Sequence, residues 1–183
     1  QPFERLLSAA IAATFADHVP PIATIALWAR GDIAPVYTLA AMRNPARRST
    51  TLAWLAAVDP EPDSPRAVQA AKEALRQAHD PELRLAALAL VPLTDPGVAE
   101  AARRLANRDG RRVLALRTGD EVAEPPDLER AYGLERAVLG ASYAIHLAER
   151  GRDADARAAL TAACVETSSE PHAGYAVLSA IRR

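Results

Sequence analysis

The sequence predicts an all-α fold built from stacked antiparallel helix pairs. Alanine and leucine, two strong helix formers, supply much of a hydrophobic fraction of 50%, while aromatic residues make up only 4%. Pairs of a small polar residue and a proline recur along the chain, and the runs between them carry apolar residues at helical spacing. Because alanine fills little volume, a core of this composition requires closely packed helices.

Four polar-residue–proline pairs predict four helix starts. An Asn, Ser or Asp at the N-cap accepts a hydrogen bond from a free backbone N–H of the first turn. Proline suits the next position because its missing N–H would be unpaired there. The pairs are Asn44-Pro45, Ser64-Pro65, Asp80-Pro81 and Asp95-Pro96. The last three begin 16 and 15 residues apart, so two such units make a repeat of the length found in α-solenoids.

Shorter helices are predicted before Asn44 and after the last of these pairs. The apolar pattern indicates helices over residues 3–14 and 21–30, and a third that begins near Asp32 or Ala34. Residues 111–117 alternate as a strand would, but we expect a helix because the sequence offers no second strand for pairing.

An exposed acidic loop over residues 119–127 divides the predicted helical region 1–118 from a C-terminal region, 128–183. The loop contains Gly119 and two adjacent prolines, which favour irregular backbone. After it, Asp127 is predicted to cap a long helix over 128–150. Helices over 153–167 and from about 171 to 181 are expected to follow, and this C-terminal region is expected to pack on the first.

Residues 144–163 resemble one tetratricopeptide (TPR) repeat. Ala144 matches the small residue of the family's first helix, and Gly151 lies at the turn between the helices. Ala156, Leu160 and Ala163 match the small, large and small positions of its second helix. The sequence departs from the pattern at Leu147, where the family usually has tyrosine, and the terminal proline is displaced to Pro171. The resemblance implies a hairpin in which small residues let two helices approach closely.

Residues 44–107 are similar to HEAT repeats. The run DPELR over residues 80–84, followed by Ala86, Ala87 and Leu88, is similar to the second helix of such a repeat. Both resemblances imply a HEAT/TPR-like α-solenoid, and both families mostly bind peptides or proteins on a concave face, with DNA bound by some HEAT-like enzymes. Fold resemblance does not identify the ligand.

The sequence contains no recognisable catalytic, metal-binding or cofactor-binding pattern. None of the four histidines lies four residues from another, so no helix face presents a His pair to a metal. Cys164 is the single cysteine and is expected to be a buried thiol beside Ala163 and Val165. A helical enzyme or small-ligand-binding protein with an apolar pocket stays an alternative.

Arginines concentrate in two groups that are candidate binding sites for a polyanion or a partner protein. The groups are Arg43, Arg47 and Arg48, and Arg103, Arg104, Arg108, Arg111 and Arg112, the latter around a predicted loop at 107–110. In stacked repeats, equivalent turns lie along one edge, where arginines could hold phosphates or acidic side chains. The alternative is that they are solvated helix ends paired with the acids at 120–129.

Four aromatic residues are candidate anchors for a partner, because tryptophan and tyrosine are favoured at binding hot spots. They are Trp28, Trp54, Tyr132 and Tyr143. The alternative is that they fill gaps in an alanine-rich core. Tyr132 and Tyr143 are eleven residues apart, or about three helical turns, and so share a face of the predicted long helix.

These features together predict a protein–protein interaction module, a scaffold or docking domain that binds a peptide or helix in a groove with arginines at its rim. The rival is a HEAT-like protein that binds DNA or another polyanion, although a net charge of −1 gives no basic footprint over the whole chain. No cofactor is expected. No apolar stretch is long enough for a membrane span, and the single cysteine favours a cytoplasmic location.

Overall fold

The computed structural model describes residues 21–32, 34–119, 125–131 and 133–165. Within these ranges the regular secondary structure is entirely helical, which confirms the all-α prediction. In chain order the helices are α1 (Pro21–Ala29), α2 (Ala34–Ala41), α3 (Pro45–Val58), α4 (Pro65–Gln77), α5 (Pro81–Leu90), α6 (Pro96–Leu105), α7 (Arg108–Thr118), α8 (Gly133–Ala148) and α9 (Asp153–Val165). The predicted helices over 3–14 and 171–181 lie outside the described residues, and solenoid-like stacking stays a prediction.

Prolines begin α3, α4, α5 and α6, as the polar-residue–proline pairs predicted. In each helix the preceding side chain accepts a hydrogen bond from a backbone N–H of the first turn. The acceptor and donor residues are Asn44 and Arg47 at 3.1 Å, Ser64 and Ala67 at 3.2 Å, Asp80 and Glu82 at 2.8 Å, and Asp95 and Val98 at 2.9 Å. These bonds satisfy N–H groups that have no partner within the helix.

Replacing Asp80 with alanine tests the start of α5. The Asp80 carboxylate also lies 3.4 Å from the Leu83 N–H, and alanine can accept neither hydrogen bond. We expect the free energy of unfolding in urea to fall by about 1 kcal/mol, the usual cost of a lost N-cap. Asp63→Ala, which removes an exposed carboxylate from the turn before α4, is the matched control. Equal stability of the two variants would contradict a cap at Asp80.

Helix α7 begins earlier than the sequence suggested. Residues 111–117 are helical, as predicted, but the helix already begins at Arg108, so the predicted loop at 107–110 is wrong beyond its first residue. Asn107 is the N-cap, and its side chain accepts a hydrogen bond from the Gly110 N–H at 2.8 Å. Because Asn107 is followed by arginine rather than proline, the pattern that marks the other helix starts was absent.

Helix α8 begins later than predicted. Asp127 accepts a hydrogen bond from the Arg130 N–H at 3.3 Å, but it caps only a single turn over residues 128–130. The long helix starts at Gly133, whose φ of +52° is a left-handed conformation that suits glycine. A helix cannot run through such a residue, so the predicted helix over 128–150 is shortened to Gly133–Ala148.

The chain forms two compact units, whose boundaries fall inside α5 and α6. Of the described residues, those up to Leu83 and Val91–Ala101 form the first unit, and Arg84–Leu90 and those from Ala102 onward form the second. In the first unit, α3 and α4 pack through small side chains, and the Ser49 hydroxyl donates a hydrogen bond to the Ala74 carbonyl at 3.0 Å. The fully buried residues of this pair include Ala53, Leu55, Ala56, Ala67, Ala71 and Ala74.

In the second unit, α8 and α9 form a tightly crossed hairpin. A Cβ atom placed on Gly140 would lie 2.8 Å from the Ala163 Cβ and 3.2 Å from the Ala159 carbonyl oxygen. Gly151 turns the chain between the helices with a φ of +70°. Of the positions compared with the TPR pattern, Ala144, Leu147, Ala156 and Ala163 are buried. The hairpin therefore has the close crossing that the pattern implies, while membership of that family stays a prediction.

Candidate functional site

The densest basic surface of the described residues lies in the second unit, where α6 ends and α7 begins. We call it the arginine surface, and it consists of Arg103, Arg104, Arg108, Arg111 and Arg112. The first four residues are exposed, and the Arg112 side chain keeps 26% of its area accessible. Residues 103–112 contain five arginines and one aspartate, a formal charge of +4 in a chain whose net charge is −1.

The arginine surface is fixed in place by the packing of the first turn of α7. A Cβ atom on Gly110 would lie only 2.6 Å from the Leu88 Cδ1, so glycine allows this turn to approach α5. Val113, Leu114 and Leu116 bury the inner face of α7. Arg108 and Arg111 lie on the exposed side of the same turn, and a rigid helix therefore presents both guanidinium groups to solvent.

Helix stability explains only part of the arginine surface. Arg103 and Arg104 lie in the last turn of α6, where a cation is favoured by the helix dipole. Arg108 and Arg111 lie at the opposite end of a helix, in the first turn of α7, where the dipole favours an anion instead. Asp109 is the acidic residue of that turn. The helix dipole therefore does not explain why positions 108 and 111 carry arginine.

The carboxylates beside the arginine surface leave two of its members unengaged. Arg112 Nη1 lies 4.0 Å from the Asp109 Oδ1, a marginal ion pair. Burial, and then the charge of Asp109, raise the pKa of Glu135 above its usual value, while Arg112 lowers it. Within the described ranges, Arg108 and Arg111 form no ion pair. An external anion can therefore reach both guanidinium groups without displacing an acidic residue of this part of the chain.

The second arginine group belongs to the first unit, around the start of α3. Arg43 is exposed, whereas Arg47 and Arg48 are partly buried. Hydrogen bonding from Arg76 is the first cause that lowers the pKa of Glu73 to about 2, and the charge of Arg48 adds to it. Arg48 therefore acts on a carboxylate of its own unit. The expectation that the two arginine groups lie along one edge of a repeat stays a prediction.

Both tryptophans among the aromatic candidates are buried. Trp28 is 5% exposed and Trp54 is 6% exposed, so neither ring offers much surface to a partner. Tyr143 is partly buried and stacks on the His146 ring, and Tyr132 lies outside the described residues. The burial of both tryptophans is what the alternative to partner anchors predicts, namely that aromatic rings fill gaps in a core of small residues.

A buried carboxylate in the first unit has no local signature in the sequence. The Asp59 side chain is 1% exposed and lies 2.7 Å from the Arg66 Nε. Trp28 Nε1, 31 residues earlier, donates a hydrogen bond to Asp59 at 2.7 Å, and the Arg66 guanidinium lies 4.9 Å from the Trp28 ring centre. The Glu61 N–H and Ser64 hydroxyl donate to the other carboxylate oxygen at 3.0 and 3.4 Å. These contacts join α1 to the turn after α3 and describe a structural centre.

Cys164 lies on the surface, which contradicts its predicted burial. The buried face of α9 carries Ala156, Ala159 and Ala163, and a step of one residue turns the side chain about 100° around the helix. In the described part of the chain, no group of three or more His, Cys, Asp or Glu side chains could hold a metal ion. No helix of that part is long and apolar enough to cross a membrane.

The described ranges thus define an all-α protein with one concentrated arginine surface on a rigid helix start. Comparison with protein-family models, with curated proteins and with solved structures gives no match to the chain.

Proposed function

We propose that this protein is a helical interaction module that binds an acidic segment of a partner protein at the arginine surface. The observation that carries the proposal is the position of Arg108 and Arg111, which are exposed, without an ion pair in the described ranges, and unfavourably placed for the dipole of α7. A bound carboxylate would pair with these planar guanidinium groups, and two-point pairing makes such contacts strong and directional.

An acidic protein segment fits this surface better than a nucleic acid. Nucleic-acid-binding domains are commonly basic overall, whereas this chain has a sequence pI of about 6.5. The positive charge is concentrated within ten residues, and exposed acids such as Asp127 and Glu129 belong to the same unit. A short acidic segment needs only such a compact patch of charge, whereas a long phosphate backbone would extend beyond it.

Affinity capture with a double charge reversal tests the proposal. We expect an acidic protein to be captured from the source lysate by the unaltered chain and to be lost with Arg108→Glu/Arg111→Glu. The matched control is Arg130→Glu/Arg157→Glu, which makes the same change of charge at two other exposed positions of the second unit. The control should capture the same protein.

Two outcomes would contradict the proposal. Equal capture by both double variants would show that the partner does not use Arg108 and Arg111. Recovery of nucleic acid alone, with a steep loss between about 50 and about 200 mM salt, would favour the polyanion alternative, because such binding depends on counterion release.

A further inference from the structure

A histidine in the second unit lies against the end of α7, at the opposite end of that helix from the arginine surface. His146 belongs to the last turn of α8 and is 7% exposed. Its Nδ1 atom lies 2.9 Å from the Arg150 Nη1, and its ring also hydrogen-bonds to the Leu116 backbone in α7. Tyr143 stacks on the ring with a centroid distance of 6.3 Å and an interplanar angle of 22°.

These contacts define the protonation state of the ring. Arginine has donors and no acceptor, so the His146 Nδ1 must accept the Arg150 hydrogen bond with its lone pair. The proton of the neutral ring is then on Nε2. His146 is therefore neutral and in a single tautomer. A second proton on Nδ1 would remove the acceptor and place a positive ring beside a positive guanidinium.

Arg150 connects the ring to the end of α7. Its Nη2 donates a hydrogen bond to the Gly119 carbonyl at 3.1 Å, and its Nη1 also lies 3.2 Å from the His146 carbonyl. Gly119 is the C-cap of α7 and has a left-handed φ of +76°. A cation at this position is favoured by the dipole of α7. One guanidinium group thus binds the C-terminal ends of both α7 and α8.

We propose that His146 and Arg150 form a proton-operated latch, which holds the last turn of α7 at neutral pH and releases it when the His146 ring is protonated. The proposal is independent of the interaction module proposed above. Protonation converts Nδ1 from an acceptor into a donor, and the resulting repulsion drives the Arg150 guanidinium away from the ring. The hydrogen bond to Gly119 depends on the position of the same guanidinium and is weakened with it.

The charges around the ring set the direction of its response. Burial is the first cause that lowers the pKa of His146 below 6.5, and the charge of Arg150 is the second. Glu149 and the hydrogen bond to Leu116 act in the opposite direction. From α7 the ring meets the Leu116 carbonyl, and no titratable side chain of α7 or α9 in the described ranges contributes to the shift. The unfolded chain therefore takes up the proton more readily, and stability is lost as pH falls below 6.5.

The test is an NMR titration of the His146 ring combined with hydrogen exchange of the α7 amides. We expect the ring to be the Nε2–H tautomer at neutral pH and to titrate below pH 6.5. When it is protonated, exchange of the Gly119 amide, which bonds to the Ala115 carbonyl, should accelerate about tenfold or more after correction for intrinsic rates. Amides of α3 and α4 in the first unit should keep their protection over the same range.

Two variants distinguish the latch from general acid sensitivity. Arg150→Leu should raise the pKa of His146, and His146→Gln, which can both donate and accept but cannot titrate, should remove the pH dependence of exchange at Gly119. His79→Gln, at an exposed position, is the control and should exchange as the unaltered chain does. A ring that titrates at or above pH 6.5, or pH-dependent exchange that persists in His146→Gln, would overturn the proposal.

Discussion

Replacing Asp59 with alanine is expected to lower the free energy of unfolding by about 3 kcal/mol. Removal of one partner from a buried ion pair usually costs 3–5 kcal/mol, because the groups left behind lose their acceptor without regaining water. The lower end applies here, since the Arg66 side chain is 41% exposed and can be solvated again. The buried Trp28 Nε1 cannot be solvated in this way, so the loss of its 2.7 Å hydrogen bond to Asp59 makes up much of the expected effect.

Urea unfolding followed by circular dichroism measures this loss, and tryptophan fluorescence reports on Trp28 and Trp54 together. Asp63→Ala is the control, because it removes an exposed carboxylate four residues away and should change the stability by less than about 0.5 kcal/mol. Asp59→Asn should be intermediate, since its amide oxygen accepts hydrogen bonds and its amide nitrogen does not. A loss below about 1 kcal/mol for Asp59→Ala would contradict a buried, fully engaged carboxylate.

Gly140→Leu is expected to destabilise the second unit by about 3 kcal/mol, near the upper end of the usual cost of overpacking. Even a Cβ atom at this position would lie 2.8 Å from the Ala163 Cβ, and neither helix backbone can move away cheaply. Leucine is itself a strong helix former, so the loss would report on the crossing of α8 and α9 rather than on helix propensity.

Gly97→Leu is the matched control for this substitution. Gly97 also lies in a helix, but an added Cβ would meet only side-chain atoms there, the Lys72 Nζ at 2.9 Å and the Asp95 Oδ1 at 3.1 Å, and no backbone. We expect a change within about 0.5 kcal/mol in urea unfolding. Equal losses for the two glycine variants would contradict a close approach of α8 and α9 at Gly140.

Local sequence patterns predicted the helix starts because the physics of a cap is local. Asn44, Ser64, Asp80 and Asp95 each act on an N–H two or three residues away, and each of these predictions is confirmed. The predicted start of α8 was wrong for the same reason, because the cap at Asp127 is present but stabilises only one turn. The continuation of a helix depends on later residues, here on Gly133.

Contacts between distant residues could not be predicted from such patterns. Nothing near Asp59 indicates that Trp28 and Arg66 will surround it, because that arrangement depends on how α1 packs. The arginine surface was identified from its composition, yet the distinction between its members required structure. Arg112 lies beside Asp109, whereas Arg111, its neighbour in sequence, is exposed and forms no ion pair within the described ranges.

The most direct test of the proposed function is an NMR titration of the labelled protein with a short glutamate-rich peptide. We predict that amide shifts concentrate at residues 103–112, that they vanish in Arg108→Glu/Arg111→Glu, and that they persist in Arg130→Glu/Arg157→Glu. Shifts spread over all exposed arginines, or unchanged by the first variant, would contradict the arginine surface as the binding site.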